Sequence, residues 1–312
     1  MRYRLVTLIG FVLAVTAIAV SSNHLTLRYP PAVHRMLVPR TSSYLGVFEA
    51  GAPPGYRPIA EFASMAHQQP NLVGYYSGWA QSFDTPFAEN IVRHGSIPYV
   101  QIDPMYASVA AIAAGSYDSY LRSYADSVRD FSHAVVIGFG HEMNGTWYSW
   151  GYGHTSPSVF VAAWRHIVTV FRAEGADNVT WLWTVNQDRR GTGPIADWWP
   201  GTNYVTWVGI DGYYVRPSDT FYSVFGRTIS QVRALSGKPI LLSETAVGPQ
   251  AGQFVKIFNL FAGMQKYGAL GLVWFDKTQS GSLYHQDWRL EGKSHADVAF
   301  RLGIEGLKLV HN

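Results

Sequence analysis

The chain alternates short apolar runs with longer segments of helical character, and this alternation repeats eight times. The runs are rich in Val, Ile, Tyr, Phe and Trp, which favour β-strands, whereas the segments between them are long enough for helices. We predict strands at 44–48, 72–76, 97–101, 134–139, 179–184, 204–210, 240–243 and 270–275. The predicted helices lie near 57–67, 83–94, 117–130, 157–174, 220–236, 250–267 and 294–302.

Strict alternation of strand and helix predicts a (β/α)8 TIM barrel, whose domain would occupy residues 42–312. Several runs, such as 134-AVVIGF-139, are almost entirely apolar, as expected of parallel strands buried on both faces. A doubly wound sheet would place a glycine-rich phosphate turn after its first strand. The segment 46-GVFEAGAPPG-55 carries two prolines there and does not suit the start of a helix. The barrel is therefore the preferred architecture.

Residues 1–22 differ in amino-acid composition from the rest of the chain. Two arginines precede the apolar run from Leu5 to Val20, and polar residues follow it. This order is typical of a secretory signal, and 17-AIA-19 resembles a cleavage site. An uncleaved N-terminal membrane anchor is the alternative, and residues 23–41 would form a connector containing prolines. Both readings place the domain outside the cytoplasm, either secreted or anchored to the outer face of the membrane.

The amino-acid composition limits the kinds of site and of partner that the chain can have. The absence of cysteine excludes disulfides, thiolate catalysis and thiolate metal sites. A net charge of +3 without a basic cluster argues against nucleic acid as a partner. The 11 Trp, 19 Tyr and 16 Phe residues can fill a core, but Trp and Tyr also suit surfaces that hold sugar rings. Carbohydrate is therefore a reasonable partner class.

Barrel enzymes carry their chemistry at the carboxyl ends of the strands. Two of these ends stand out, namely 140-GHEMNGTWYSWGYG-153 after the fourth predicted strand and 242-LSETA-246 at the seventh. The ends of strands four and seven face each other across a barrel mouth. Two carboxylates that face each other across a cleft are what glycoside hydrolysis requires. Glu142 and Glu244 are therefore the predicted catalytic pair.

The segment 140–153, together with Glu244 on strand seven, resembles glycoside hydrolase family 26. The similarity extends through most of residues 42–290 and includes 97-IPYVQIDP-104, 181-WLWTVN-186, 208-VGIDGYY-214 and 272-LVWFDK-277. That family belongs to a clan of retaining barrel hydrolases, with the acid/base on strand four and the nucleophile on strand seven. The resemblance therefore implies the same fold that the alternation predicts, and a retaining mechanism.

Carried over by position, the resemblance makes Glu142 the general acid/base and Glu244 the nucleophile. It implies that substrate-binding roles fall on His141 and Trp147 at the −1 subsite, Tyr213 beside the nucleophile, and Trp274 as a floor for sugar stacking. The strand-end residues Asn186 and Asp103 are further candidates for substrate binding. A mechanism of this kind requires neither a metal nor an organic cofactor. The pair His141-Glu142 also resembles the start of a zincin motif, but Asn144-Gly145 replaces the second histidine, so zinc is rejected.

The sequence leaves the substrate open. The family resemblance favours an endo-acting β-1,4-mannanase that binds a polysaccharide, and we expect a monomer. The segment 97-IPYVQIDPM-105, however, resembles a stretch found in family members that act on mixed-linkage β-1,3-1,4-glucan, and a β-1,3-xylanase is a third reading. A catalytically silent glycan-binding barrel is the alternative from another class. It would use the aromatic residues but would not need both glutamates.

Overall fold

A computed structural model describes residues 43–249, 251–279 and 286–310. Eight parallel strands form a closed barrel in which each strand pairs with the next and the eighth pairs with the first. The strands are β1 (Tyr44–Glu49), β2 (Leu72–Gly78), β3 (Ile97–Asp103), β4 (Val135–Phe139), β5 (Val179–Asn186), β6 (Trp207–Tyr214), β7 (Ile240–Val247) and β8 (Gly271–Asp276). The predicted (β/α)8 barrel is confirmed. The segments 1–22 and 23–41 lie outside the described residues, so those two predictions stay predictions.

Helices connect the strands and cover the outside of the barrel. They are α1 (Arg57–Ala66), α2 (Thr85–Arg93), α3 (Val109–Ala113), α4 (Asp118–Phe131), α5 (Pro157–Ala173), α6 (Arg227–Leu235), α7 (Gln253–Lys266) and α8 (Ser294–Glu305). The sequence did not predict α3, which has only five residues. Nor did it predict that a π-helical turn, Tyr222–Gly226, precedes α6. Within the described ranges, no helix has both the length and the apolar character needed to cross a membrane.

The strands are buried on both faces, as the apolar runs indicated. Side chains such as Val100 and Ile137 have no exposed surface, and neither does the large ring of Trp183 in β5. On the helix side, Phe160 of α5 packs against Phe139 of β4 with ring centroids 5.8 Å apart. This packing holds the carboxyl ends of the eight strands in a rigid ring, and that ring positions the polar side chains described next.

Most strands end one or two residues later than the sequence predicted, and β6 and β7 each end four residues later. β6 continues through Asp211 to Tyr214, and β7 continues through Glu244 to Val247. The two predicted strands ended at residues 210 and 243, each just before an acid, and an acid inside a buried strand is costly without partners. In the structure both acids have hydrogen-bond donors, and Asp211 pairs with Glu244 in the strand register, next to an irregularity at Gly209. Glu244 therefore lies within a strand and is held rigidly.

Candidate active site

A cleft of about 620 Å³ opens at the carboxyl ends of the strands and contains both predicted catalytic glutamates. Its lining residues are polar or aromatic and come from seven of the eight strands, β2 to β8, or the loops that follow them, namely Tyr76, Asp103, His141, Glu142, Trp147, Tyr148, Asn186, Gln187, Arg189, Tyr213, Glu244, Phe275 and Gln279. Five of the six predicted substrate-binding residues are among them. The sixth, Trp274, is not.

Glu142 is positioned by a sharp turn after β4. Its backbone has φ +55°, in the left-handed region that non-glycine residues rarely adopt, and its amide donates to the carbonyl of Thr184 at 3.0 Å. Such strain is tolerated where surrounding contacts fix the conformation, and it is found most often at functional sites. The carboxyl group accepts a hydrogen bond from the indole Nε1 of Trp147 at 2.6 Å on Oε2, and one from the amide of Asn186 on Oε1.

The surroundings of Glu142 favour its protonated form. Burial raises the pKa of this carboxyl, and the negative charge of Glu244 raises it further. The nearby His141 and the hydrogen bonds from Asn186 and Trp147 lower the pKa, but the net shift is upward. A carboxyl group of this kind retains its proton to higher pH and suits a proton donor.

Asn186 is itself held in place by Asn144. The backbone amide of Asn186 donates to Oδ1 of Asn144 at 2.8 Å, and Nδ2 of Asn144 donates back to the carbonyl of Asn186 at 2.9 Å. Asn144 is fully buried, so this pair of bonds fixes the end of β5 against the loop after β4. The sequence indicated Asn144 only as a residue that replaces the second histidine of a zincin motif, and it did not predict this bridging role.

Glu244 accepts a hydrogen bond from a tyrosine on each oxygen. The hydroxyl of Tyr213 donates to Oε2 at 2.7 Å, and the hydroxyl of Tyr76 donates to Oε1. Burial raises the pKa of both tyrosines, so both hydroxyls keep their protons and remain donors. Two donors stabilise an ionised carboxylate. The structure thus places Tyr213 where the family resemblance put it, whereas Tyr76 was missed because only its position near the end of β2 could have indicated it.

His141 lies beside the two glutamates and is almost completely buried. Its Nδ1 lies 2.9 Å from Oδ1 of Asp103, and its Nε2 lies 3.1 Å from the hydroxyl of Tyr148. Burial lowers the pKa of the imidazole, but the charges of Asp103, Glu244 and Glu142 outweigh it and bring the pKa to about 10. The side chain is therefore an imidazolium at neutral pH, and it adds a positive charge to a cleft that holds several acids.

A further acid, Asp211, lies beneath the cleft. It is fully buried, and Oδ1 accepts a hydrogen bond from Ser243 at 2.5 Å. Burial raises the pKa of Asp211 well above its usual range, and the charges of Glu244 and Glu142 raise it further. The buried surroundings of Asp211 therefore favour its protonated form.

The prediction that Trp274 forms a sugar-stacking floor is wrong. Successive residues of a strand face opposite sides, and in β8 it is Phe275 that lines the cleft. Trp274 is fully buried on the outer side, where its ring meets Phe300 of α8 at 5.0 Å and its Nε1 donates to the carbonyl of Trp288 at 3.1 Å. Among the predicted aromatic residues, Trp147 has an accessible face, with 39% of its surface exposed.

Comparison with known proteins agrees with this geometry. Residues 76–303, which are most of the chain, match the family model described as Glycosyl hydrolase family 26. The chain belongs to glycosyl hydrolase family 26. The resemblance noted from the sequence is thereby confirmed.

Two curated proteins whose names describe different enzymes are similar in sequence to this family 26 member. Endoglucanase H of Acetivibrio thermocellus is 28% identical over 272 residues, which are 81% of this chain and 29% of that protein. A mannan endo-1,4-β-mannosidase of Bacillus subtilis strain 168 is 31% identical over 169 residues, which are 48% of this chain and 43% of that protein. The chain therefore spans less than half the length of either relative.

Among solved structures, the chain is similar to a family 26 β-mannanase from Bacteroides ovatus. The TM-score is 0.63 at 17% sequence identity, and the match covers 87% of this chain and 91% of that chain. This likeness concerns the fold, and it agrees with the closed barrel of eight strands described above.

Proposed function

We propose that this family 26 member is a retaining, endo-acting glycoside hydrolase. It would cleave internal bonds of a β-linked polysaccharide. One observation carries the proposal, namely that a single cleft holds two carboxyl groups in opposite environments. Burial raises the pKa of Glu142, whereas Glu244 accepts hydrogen bonds from two tyrosine hydroxyls. One environment favours a protonated acid, and the other favours a carboxylate. Glycoside hydrolysis with retention needs both.

In the first step of this mechanism, Glu142 donates its proton to the glycosidic oxygen while Oε1 or Oε2 of Glu244 attacks the anomeric carbon. The bond to the leaving sugar breaks, and a covalent glycosyl-enzyme forms. In the second step, the ionised Glu142 accepts a proton from water, the water oxygen attacks the anomeric carbon, and the carboxylate of Glu244 leaves. The configuration is inverted twice and is therefore retained.

The neighbouring side chains support each of these roles. Tyr213 and Tyr76 orient the carboxylate of Glu244, and Trp147 and Asn186 hold the carboxyl group of Glu142. When Glu142 ionises after the first step, the same two N–H donors stabilise its new charge. The imidazolium of His141 also favours that charge.

Isosteric variants test the catalytic roles. We expect Glu142→Gln and Glu244→Gln each to lower kcat by at least about 10³-fold, because each removes a reacting group. Glu61→Gln, in an exposed ion pair with Arg57 on α1, is the matched control and should keep full activity. Wild-type enzyme should release the β-anomer first, as followed by proton NMR. If the wild type binds oligosaccharides and cleaves none, the glycan-binding alternative holds instead.

For the substrate, we propose β-1,4-mannan, in keeping with the mannosidase relative from Bacillus subtilis. A second candidate is β-1,3-1,4-glucan, which is favoured by the likeness to endoglucanase H over 81% of this chain and by the segment 97-IPYVQIDPM-105. Parallel digestion of mannan, barley glucan and β-1,3-xylan, with new reducing ends counted, separates these choices. Release from glucan but not from mannan would replace the first candidate with the second.

We also propose that the protein is exported and acts as a monomer. The support lies in the basic, apolar and polar order of residues 1–22. Cell fractionation followed by sequencing of the mature N-terminus tests the export. A start near Val20 or Ser21 indicates cleavage and secretion, whereas an intact N-terminus in the membrane fraction indicates an anchor. Light scattering of the purified protein tests the monomer.

A further inference from the structure

A second acidic cluster lies at the carboxyl ends of β1 and β8, beside the cleft. Glu49 and Asp276 are the last residues of these two strands and pair with each other in the register. Glu291 approaches them from the segment that precedes α8. One carboxylate oxygen from each of the three residues lies within 4.8 Å of the others. We name this group the rim cluster.

Two members of the rim cluster are buried and have unsatisfied oxygens. Glu49 is 6% exposed and Asp276 has no exposed surface, yet no N–H or hydroxyl group donates a hydrogen bond to Oε1 of Glu49 or Oδ2 of Asp276. The other oxygen of Asp276 accepts from the amide of Leu290 at 2.9 Å. Buried carboxyl oxygens are normally paired, because the loss of hydration is costly. Both unpaired oxygens therefore indicate a missing partner.

The basic side chains nearby have other partners. Arg289 and Lys293 form ion pairs with Asp287, at 2.8 Å and 3.7 Å. Lys277 follows Asp276, but its ammonium group lies over aromatic rings, including that of Tyr76 at 5.0 Å. Among the described residues, these cations reduce the negative potential of the rim cluster without filling it.

We propose that Glu49, Asp276 and Glu291 bind a calcium ion. Three carboxylates form a set of hard oxygen ligands, which suits Ca²⁺ better than the zinc or copper that nitrogen and sulfur ligands select. Water molecules complete a coordination sphere of 6 to 8 oxygens in sites of this kind. The exposed position of Glu291 gives the ion a route of entry from solvent.

The charges of the cluster agree with this assignment. Three carboxylates whose oxygens lie within 4.8 Å of one another repel each other when they are ionised, and a divalent cation bound between them would supply the missing positive charge.

A cation at the rim cluster would stabilise one wall of the active site. Glu291 lies three residues after Trp288, whose ring packs against Tyr213 at 4.8 Å, and Tyr213 is hydrogen-bonded to Glu244. Binding of the ion would fix Glu291 to the ends of β1 and β8, and would thereby restrict the segment that carries Trp288. The ion is structural and takes no part in bond cleavage.

Calorimetry and thermal unfolding of the full chain test the proposal. After treatment with a chelator, titration with CaCl₂ should give a saturable binding isotherm with one site. The melting temperature should rise by about 5 °C at a calcium concentration of roughly 100 times the dissociation constant. NaCl at equal ionic strength should give no such rise. A flat isotherm, or an equal rise with NaCl, overturns the proposal, as does a larger rise with zinc than with calcium.

Three variants test whether calcium binds at the rim cluster. Glu291→Gln changes an exposed residue and should fold, and it should reduce the calcium-induced rise by at least half. Glu49→Gln should abolish the rise, while its melting temperature without calcium should equal or exceed that of the wild type. Glu61→Gln, in the exposed ion pair on α1, should respond like the wild type. A full calcium response in Glu291→Gln rules out this site. None of these readouts depends on hydrolysis, so they remain valid whatever the enzyme cleaves.

Discussion

The hydroxyl of Tyr213 donates a hydrogen bond of 2.7 Å to Oε2 of Glu244. The other oxygen, Oε1, accepts from Tyr76, so each oxygen of the carboxylate has one phenol donor. Because both tyrosines are held by strands of the barrel, the carboxylate is fixed in one orientation. A nucleophile that is oriented before the substrate arrives loses little entropy in the reaction.

Replacement of Tyr213 by phenylalanine should lower activity without unfolding the barrel. Hydrogen bonds to charged groups contribute about 1.5–3 kcal/mol, so we expect kcat/KM for Tyr213→Phe to fall by roughly 10- to 100-fold. The ring remains, and with it the packing against Phe275. Steady-state kinetics measures the effect, and Tyr222→Phe, at a residue that is 70% exposed, is the control. Equal activity of the two variants would show that the hydrogen bond does not contribute.

Trp147→Phe should move the alkaline limb of the pH profile upward. The indole of Trp147 donates to Glu142 and lowers the pKa of that carboxyl, since it stabilises the charged form. Without this donor the pKa of Glu142 rises further, and the protonated form needed for the first step persists to higher pH. The dependence of kcat/KM on pH measures this shift in the free enzyme.

A control for this prediction lies in the same segment. Tyr152 is 41% exposed and is not among the cleft-lining residues, so Tyr152→Phe should leave the alkaline limb unchanged. A downward shift in Trp147→Phe would contradict the assignment of Glu142 as the proton donor.

Asn144→Ala should reduce both stability and activity. It leaves the buried amide and carbonyl of Asn186 without their partners, which should cost about 1–3 kcal/mol each in the free energy of unfolding. Asn186 then no longer holds its side chain against Glu142, and kcat should fall. Chemical denaturation and kinetics measure the two effects.

A double-mutant cycle separates positioning by Asn144 from a general loss of structure. If Asn144 acts through Asn186, the effect of Asn144→Ala on kcat should be much smaller when Asn186→Ala is already present. Additive effects on kcat would show that Asn144 acts by another route.

The sequence predicted the order and type of the strands because each is a continuous apolar run between helices. It also predicted Glu142 and Glu244 as the catalytic pair, since the barrel topology brings the ends of strands four and seven together. It did not predict that β7 passes through Glu244, because the donors that make this burial possible come from distant strands. Tyr76 lies 168 residues away from Glu244 in the chain, and no local pattern records such a contact.

The backbone of Glu142 is a second feature that was not predictable. Its φ of +55° follows from the turn after β4 and from a hydrogen bond to Thr184 on the neighbouring strand. Residue type gives no sign of this, since glutamate rarely adopts positive φ. Tertiary contacts determine both features, and both fix the direction in which a carboxyl group points.

Trp274 faces away from the cleft whereas Phe275 lines it. Replacing the first of these adjacent β8 residues should therefore change the stability, and replacing the second should change substrate binding. Trp274→Phe should lower the free energy of unfolding by roughly 1–3 kcal/mol, because it leaves the carbonyl of Trp288 unpaired and a small void beside Phe300. Its KM should stay near that of the wild type. Phe275→Leu removes an aromatic ring from the cleft and should raise KM several-fold. Denaturation and steady-state kinetics on both variants provide the comparison, and a raised KM in Trp274→Phe with an unchanged KM in Phe275→Leu would restore Trp274 as the sugar-stacking residue.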